Sequence, residues 1–123
     1  MGDPAGIGPE VIAKALADKA LARMCCPVVV GSRAVMERTI ASMQLPLQVV
    51  DFDPANIARL KGGQVAVVDA LKSPLPRFRM GVAADVTGAA SIDFIKVARE
   101  IRLRGESVRS GINPRCGPAA GSC

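Results

Sequence analysis

The chain opens on its most chemically suggestive segment. Gly2-Asp3-Pro4-Ala5-Gly6-Ile7-Gly8-Pro9-Glu10 holds three glycines within residues 2–8, followed by a proline and a carboxylate. Glycine lets a backbone turn sharply and come close to a ligand. Pro9 sits where a first helical position belongs, because its fixed φ suits that position and its missing N–H costs nothing there. A helix starting at Pro9 aims unpaired amides and the positive end of its dipole at whatever the loop faces, and an anionic group such as a phosphate suits that place. The string departs from the dinucleotide fingerprint, since Val11 stands where the third glycine of GxGxxG belongs, and no Gly-Lys-Ser/Thr follows to make a P-loop. On residue chemistry alone a ligand-facing loop and a purely structural strand-to-helix turn are both open. Asp3 either meets a ligand or ties down the turn, while Glu10 reads as a complement to the helix dipole.

The remaining side chains exclude more than they offer. The chain has no histidine, which rules out Ser-His or Cys-His catalysis, a His-ligated metal and a histidine pH switch. With three Phe and no Trp or Tyr, stacking on nucleobases has little to work with. Cys25, Cys26, Cys116 and Cys123 make neither a CxxC pair nor a zinc knuckle, and they read as reduced structural thiols. The net charge of +5 is concentrated late, where Arg99, Arg102, Arg104, Arg109 and Arg115 face Glu100 and Glu106. That cluster reads as a solvated helix face running into a tail, so no nucleic-acid partner is expected. No stretch approaches a membrane span and no charged segment precedes an apolar one, so no membrane partner and a cytoplasmic location are expected. Asp51, Asp53 and Asp69 follow strand-like runs and read as loop and cap residues; Ser91 and Asp93 read as ordinary polar positions of a helix.

The elements that must position the loop follow an α/β rhythm, expected as an α/β, three-layer partial parallel sheet flanked by helices. Ile12, Ala15, Leu16 and Ala20 predict a helix over about 9–23, ended by Pro27. Val28 to Val30, closed by Gly31, reads as a strand buried on both faces. A helix over 33–43 places Met36, Ile40 and Met43 on one side. Leu47 to Phe52 and Val65 to Val68 read as strands, with a turn at Gly62-Gly63 between them. Pro74 and Pro76 mark a loop. A last helix over about 88–104, capped by Thr87 or Asp85, points Phe94, Ile95, Ala98 and Ile101 inward. Residues 1–104 therefore read as one partial α/β domain, and 105–123, rich in glycine and proline with no apolar period, as an irregular tail.

As a string, Met1 to Glu10 (MGDPAGIGPE) closely resembles the opening motif of the 4-hydroxythreonine-4-phosphate dehydrogenase family. It is similar also to the GDGIGPE loop of isocitrate and isopropylmalate dehydrogenases, whose fold that family shares. Pro27 to Ser32 (PVVVGS) and Gly81 to Ile95 (GVAADVTGAASIDFI) resemble later segments in the same order, and the resemblance runs to about residue 106. The implied fold is an incomplete piece of the isopropylmalate dehydrogenase-like architecture. The implied activity is NAD-dependent oxidation and decarboxylation of 4-phosphooxy-threonine in pyridoxal phosphate synthesis, by a homodimer acting on a small phosphorylated hydroxy acid. Close relatives acting on 4-phospho-threonate or 4-phospho-erythronate are the alternative within the family; a non-catalytic basic binding fragment is the alternative outside it.

The resemblance further implies that Asp3, Gly6 and Gly8 lie beside the cofactor. It implies a divalent metal (Zn, Mg or Co) held by histidines that this chain lacks, together with a Gly-His-Thr motif that is absent too, so no catalytic or metal-binding residue is assigned and the chain alone is expected to be inactive. The family also places a strand before the glycine loop, where this sequence has Met1, and an apolar strand after Gly105-Glu106, where this sequence has Ser107 to Pro114. The expectation is an N-terminal fragment whose reading frame is disturbed near 101–115.

Overall fold

A computed structural model describes residues 1–105; apart from Gly105, the expected tail, with its cysteines, lies outside the described residues. Three parallel strands, β1 (Val28–Gly31), β2 (Gln48–Asp51) and β3 (Gln64–Asp69), form a sheet in the order β1-β3-β2. The register pairs Val29 with Val67 and Val49 with Val65, and Gly31 with Asp69 at the carboxyl ends. Parallel strands need long crossovers. The first is α3 (Arg33–Ser42), and the second, between β2 and β3, carries a single 3-10 turn over Ile57–Arg59.

One face of the sheet is closed by α1 (Gly8–Ala17) and α3. Ala13, Met36 and Ile40 pack there on Val29, Val49, Val65 and Val67, with Met43 partly buried against the same cluster. The other flank is α4 (Asp85–Leu103), which packs on β1. The result is a three-strand parallel sheet between helical layers, as the apolar runs predict.

Four details differ from the sequence reading. The helix expected over 9–23 breaks at Asp18, whose ψ of 118° is extended. Asp18 closes α1 through its amide on the Ala15 carbonyl and opens α2 (Lys19–Met24) by accepting the Ala20 amide at 2.7 Å. Aspartate caps helices readily because its short carboxylate satisfies orphan amides. Strand β1 alternates in burial, with Val29 and Gly31 enclosed on one face and Val28 and Val30 half-buried on the other. The last helix starts at Asp85 after an Ala84 that supplies no side-chain cap, so neither Asp85 nor Thr87 is the capping residue. Thr87 lies fully buried inside the first turn and donates its hydroxyl to the Ala84 carbonyl at 3.0 Å. Finally, the inward face of α4 is Thr87, Ala90, Phe94 and Ile101; Ile95 is 68% exposed and Ala98 is exposed as well.

Candidate functional site

The glycine loop lies at the carboxyl end of β1. The Met1 amine donates to the Val30 carbonyl at 2.9 Å, and the Met1 side chain lies against Gly31. Partial burial pushes the pKa of that amine down, since the charged form loses water. The loop then turns on itself. Asp3 accepts the Ala5 amide on Oδ1 at 2.8 Å, and the Asp3 carbonyl accepts the Gly6 amide at 3.0 Å. Pro4, Ala5 and Pro9 are buried beneath this turn.

Two glycines have packing reasons for being glycine. A Cβ on Gly8 would overlap the Met1 carbonyl oxygen, and one on Gly6 would press on the Asp3 carbonyl oxygen at 3.3 Å. Beyond the turn, Ile7 takes the N-cap position of α1 with helical dihedrals and no capping side chain, and Pro9 occupies the first turn. The Val11 amide reaches the Ile7 carbonyl at 3.1 Å. Among the described residues the amides of Ile7, Gly8 and Glu10 have no backbone acceptor. These are the orphan donors of a helix start, and they can take an anionic oxygen.

A strap over residues 77–82 borders the loop; the sequence touches it only through Gly81 and Val82, which open the resembling segment, and carries no sign of its contact with the loop. The Gly81 amide donates to the Ala5 carbonyl at 2.7 Å, with Gly81 at φ 76°. The Arg38 guanidinium from α3 stacks over the Phe78 ring at 5.0 Å. A cation–π contact between residues so far apart in sequence leaves no local signature.

The carboxyl ends of all three strands gather at the same side, where open parallel sheets bind their ligands. There the Ser32 hydroxyl caps α3 by accepting the Val35 amide at 3.4 Å, and the Asp69 carboxylate accepts the Leu71 amide at 3.4 Å. Both residues line a groove of about 230 Å³ with Lys72 and Leu75. Arg33 joins Glu37 at 2.8 Å and bonds Asp51 across the strand ends. These two carboxylates hold the guanidinium pKa above its ordinary value, Asp51 the more strongly. Asp53 accepts the Ala55 amide at 2.9 Å and holds Asn56. The three aspartates thus act as turn and strand-end residues in this fold. Ser91 donates to the Thr87 carbonyl at 3.1 Å, and Asp93 pairs with Lys96 at 3.7 Å on the exposed face of α4. Among the described residues no group of three or more acidic or cysteine side chains converges where a metal could be held. No described helix is long and apolar enough to cross a membrane.

Comparison with known proteins places this arrangement. No family model matches the sequence. The chain is 33% identical over 107 residues to a 4-hydroxythreonine-4-phosphate dehydrogenase of Trichlorobacter lovleyi, covering 86% of this chain and 32% of that protein. It is 38% identical over 106 residues to the Synechococcus protein of the same name, covering 86% and 28%. The crystal structure of a 4-hydroxythreonine-4-phosphate dehydrogenase from Burkholderia phymatum superposes with a TM-score of 0.75 at 29% identity, over 86% of this chain and 32% of the other. Over 86% of its length the chain thus matches 4-hydroxythreonine-4-phosphate dehydrogenases in sequence and in fold.

It spans about a third of the length of the curated relatives it matches. A Clostridium botulinum relative, 24% identical over 106 residues and 32% covered, is provisionally named a D-threonate 4-phosphate dehydrogenase. Dehydrogenases of both names therefore share this segment, and the resemblance read from MGDPAGIGPE, PVVVGS and the α4 sequence is borne out by these matches.

Proposed function

We propose that this chain supplies the glycine-loop segment of an NAD-dependent dehydrogenase that oxidises and decarboxylates 4-phosphooxy-threonine in pyridoxal phosphate synthesis. The observation that carries the reading is the loop's position. Gly6, Gly8 and the orphan amides opening α1 sit at the carboxyl end of β1 in a parallel sheet of the family's fold. The loop residues fit an anionic group of NAD or of a phosphorylated substrate. In the reading proposed here the Ile7, Gly8 and Glu10 amides bind it, and Gly6 keeps the approach free of a side chain. Bound NAD supplies the hydride acceptor; the chain's own contribution is to bind and orient. A divalent metal does not fit the described residues, which bring together no group of three or more acidic or cysteine side chains.

The test is a chimaera in which residues 1–104 replace the matching segment of a characterised full-length relative. The expected result is NADH formation from 4-phosphooxy-threonine, with weaker turnover of 4-phospho-threonate. A folded chimaera that prefers 4-phospho-threonate would favour the second activity found among the relatives' names. A folded chimaera inactive on both would refute the reading. The isolated chain, with NAD, substrate and added divalent metal, is expected to form no NADH.

A further inference from the structure

The strap beside the glycine loop is tied to the rest of the described chain by hydrogen bonds at two places. At one, the Gly81 amide donates to the Ala5 carbonyl at 2.7 Å. At the other, Arg38 of α3 holds the residues just before Gly81: its guanidinium lies over the Phe78 ring at 5.0 Å, and its Nη2 donates to the Met80 sulfur at 4.0 Å. Arginine suits this double contact, because its planar group stacks on a ring by its face and keeps N–H groups at its edge for an acceptor. The Val82 amide turns back onto the Arg79 carbonyl at 3.3 Å, and Gly81 adopts a φ of 76°, open to glycine without strain. Ala5, the residue the strap grips, is itself buried and bonded through its amide to Asp3 Oδ1.

We propose, building on the ligand-facing reading of the loop, that Arg38 is a positioning residue for the anion-binding amides at the start of α1. The order of contacts runs from Arg38 to Phe78 and Met80, on to Gly81, then to the Ala5 carbonyl. Next along the chain come the Gly6 amide, taken by the Asp3 carbonyl, and the Ile7, Gly8 and Glu10 amides, which have no backbone acceptor among the described residues. Arg38 is exposed on α3 and acts through the strap rather than on a ligand. Without its guanidinium the strap keeps one of its two ties, and the Ala5 carbonyl loses its partner for part of the time. A ligand must then order the turn as it binds, and affinity falls by the fraction of chains in which the turn is not already arranged. An exposed cation–π contact shifts such an equilibrium by roughly two- to fivefold.

The experiment is nuclear magnetic resonance on the 123-residue chain, as wild type, Arg38→Ala, Phe78→Leu and Phe78→Tyr. Amide hydrogen exchange reads the strap, and titration with inorganic phosphate and, separately, with NAD reads the loop. In Arg38→Ala and Phe78→Leu, exchange at Gly81 is expected to quicken by about two- to fivefold, while the core amide of Val67 keeps the wild-type rate. In the same two variants, the affinity reported by the Ile7, Gly8 and Glu10 signals is expected to weaken by up to about fivefold. Phe78→Tyr keeps the ring and is expected to match wild type in both readouts. Unchanged Gly81 exchange in Arg38→Ala overturns the proposal. So does a loosened strap with undiminished affinity, or an equal rise in exchange at Gly81 and Val67, which would mark a general loss of stability. Wild-type loop signals indifferent to both phosphate and NAD would refute the ligand-facing reading itself, and the role of Arg38 with it.

Discussion

The crossing of Met1 over the start of α1 is the contact most open to a single-atom test. Gly8 leaves no room for a Cβ, because the Met1 carbonyl oxygen lies where that atom would stand and a backbone oxygen cannot swing away as a side-chain tip can. Gly8→Ala must therefore move the loop, and with it the Met1 amine bonded to Val30. Forcing a methyl into a filled site costs about 1–3 kcal/mol. Gly88→Ala provides the opposite sign, since its Cβ points into open space on an exposed face of α4. Removing glycine from a helix interior gains about 1 kcal/mol. For a domain of this size each kcal/mol moves the thermal midpoint by about 4–8 °C. The two alanine variants should therefore differ by about 10 °C or more, with wild type between them. Gly31→Ala belongs near the middle, because it meets the Met1 side chain at 2.7 Å, part of which can rotate away. Thermal unfolding followed by circular dichroism in dilute solution reads all three. A Gly8→Ala midpoint equal to that of wild type would refute the crossing, and a lowered midpoint for Gly88→Ala would refute the exposed placement of that face.

Two further substitutions probe the helix and the loop. Phe94→Ala should cost about 3–5 kcal/mol in urea unfolding, because Phe94 is buried against the sheet side of α4, while Ile95→Ala should change stability by under about 0.5 kcal/mol; the reverse order would overturn the orientation of α4. Asp3→Ala should lose about 1 kcal/mol by orphaning the Ala5 amide, whereas Asp3→Asn keeps an acceptor oxygen there and should stay near wild type; equal losses in both would mean that the charge, not the hydrogen bond, holds the turn.

Element order was legible because apolar period and breakers agree along most of the chain. Val28 to Gly31, Arg33 to Ser42 and Gln64 to Asp69 fall where β-branched runs, helical spacing and glycine or proline punctuation place them. The break at Asp18 was hidden because Ile12, Leu16 and Ala20 continue a helical period straight through it. A cap competes with helix continuation through one hydrogen bond, and hydrophobic spacing does not register that bond. The orientation of α4 was misread for a related reason. This helix has two stripes, and the buried one is built partly from Thr87 and Ala90, which carry little hydrophobic weight. Ile95 and Ala98 then look like core, although packing on β1 selects the other side.

The glycine loop shows how a motif can be demanded by the fold and remain available to a ligand. Gly8 is needed by the Met1 crossing, and Asp3 is occupied with the Ala5 amide, so neither residue type requires a cofactor to explain it. Density of glycine alone therefore says little about binding. What distinguishes this turn is the set of groups the fold leaves over. The turn consumes the Ala5 and Gly6 amides internally, proline supplies none at position 9, and the amides of Ile7, Gly8 and Glu10 have no backbone acceptor among the described residues. Ile7 offers no capping side chain, and its helical dihedrals differ from the extended ones a capping residue adopts, so the fold itself satisfies none of those donors. Ile7 in that position, 73% exposed, leaves those donors open at the end of the sheet where parallel folds bind anions, which is the feature the proposed function rests on.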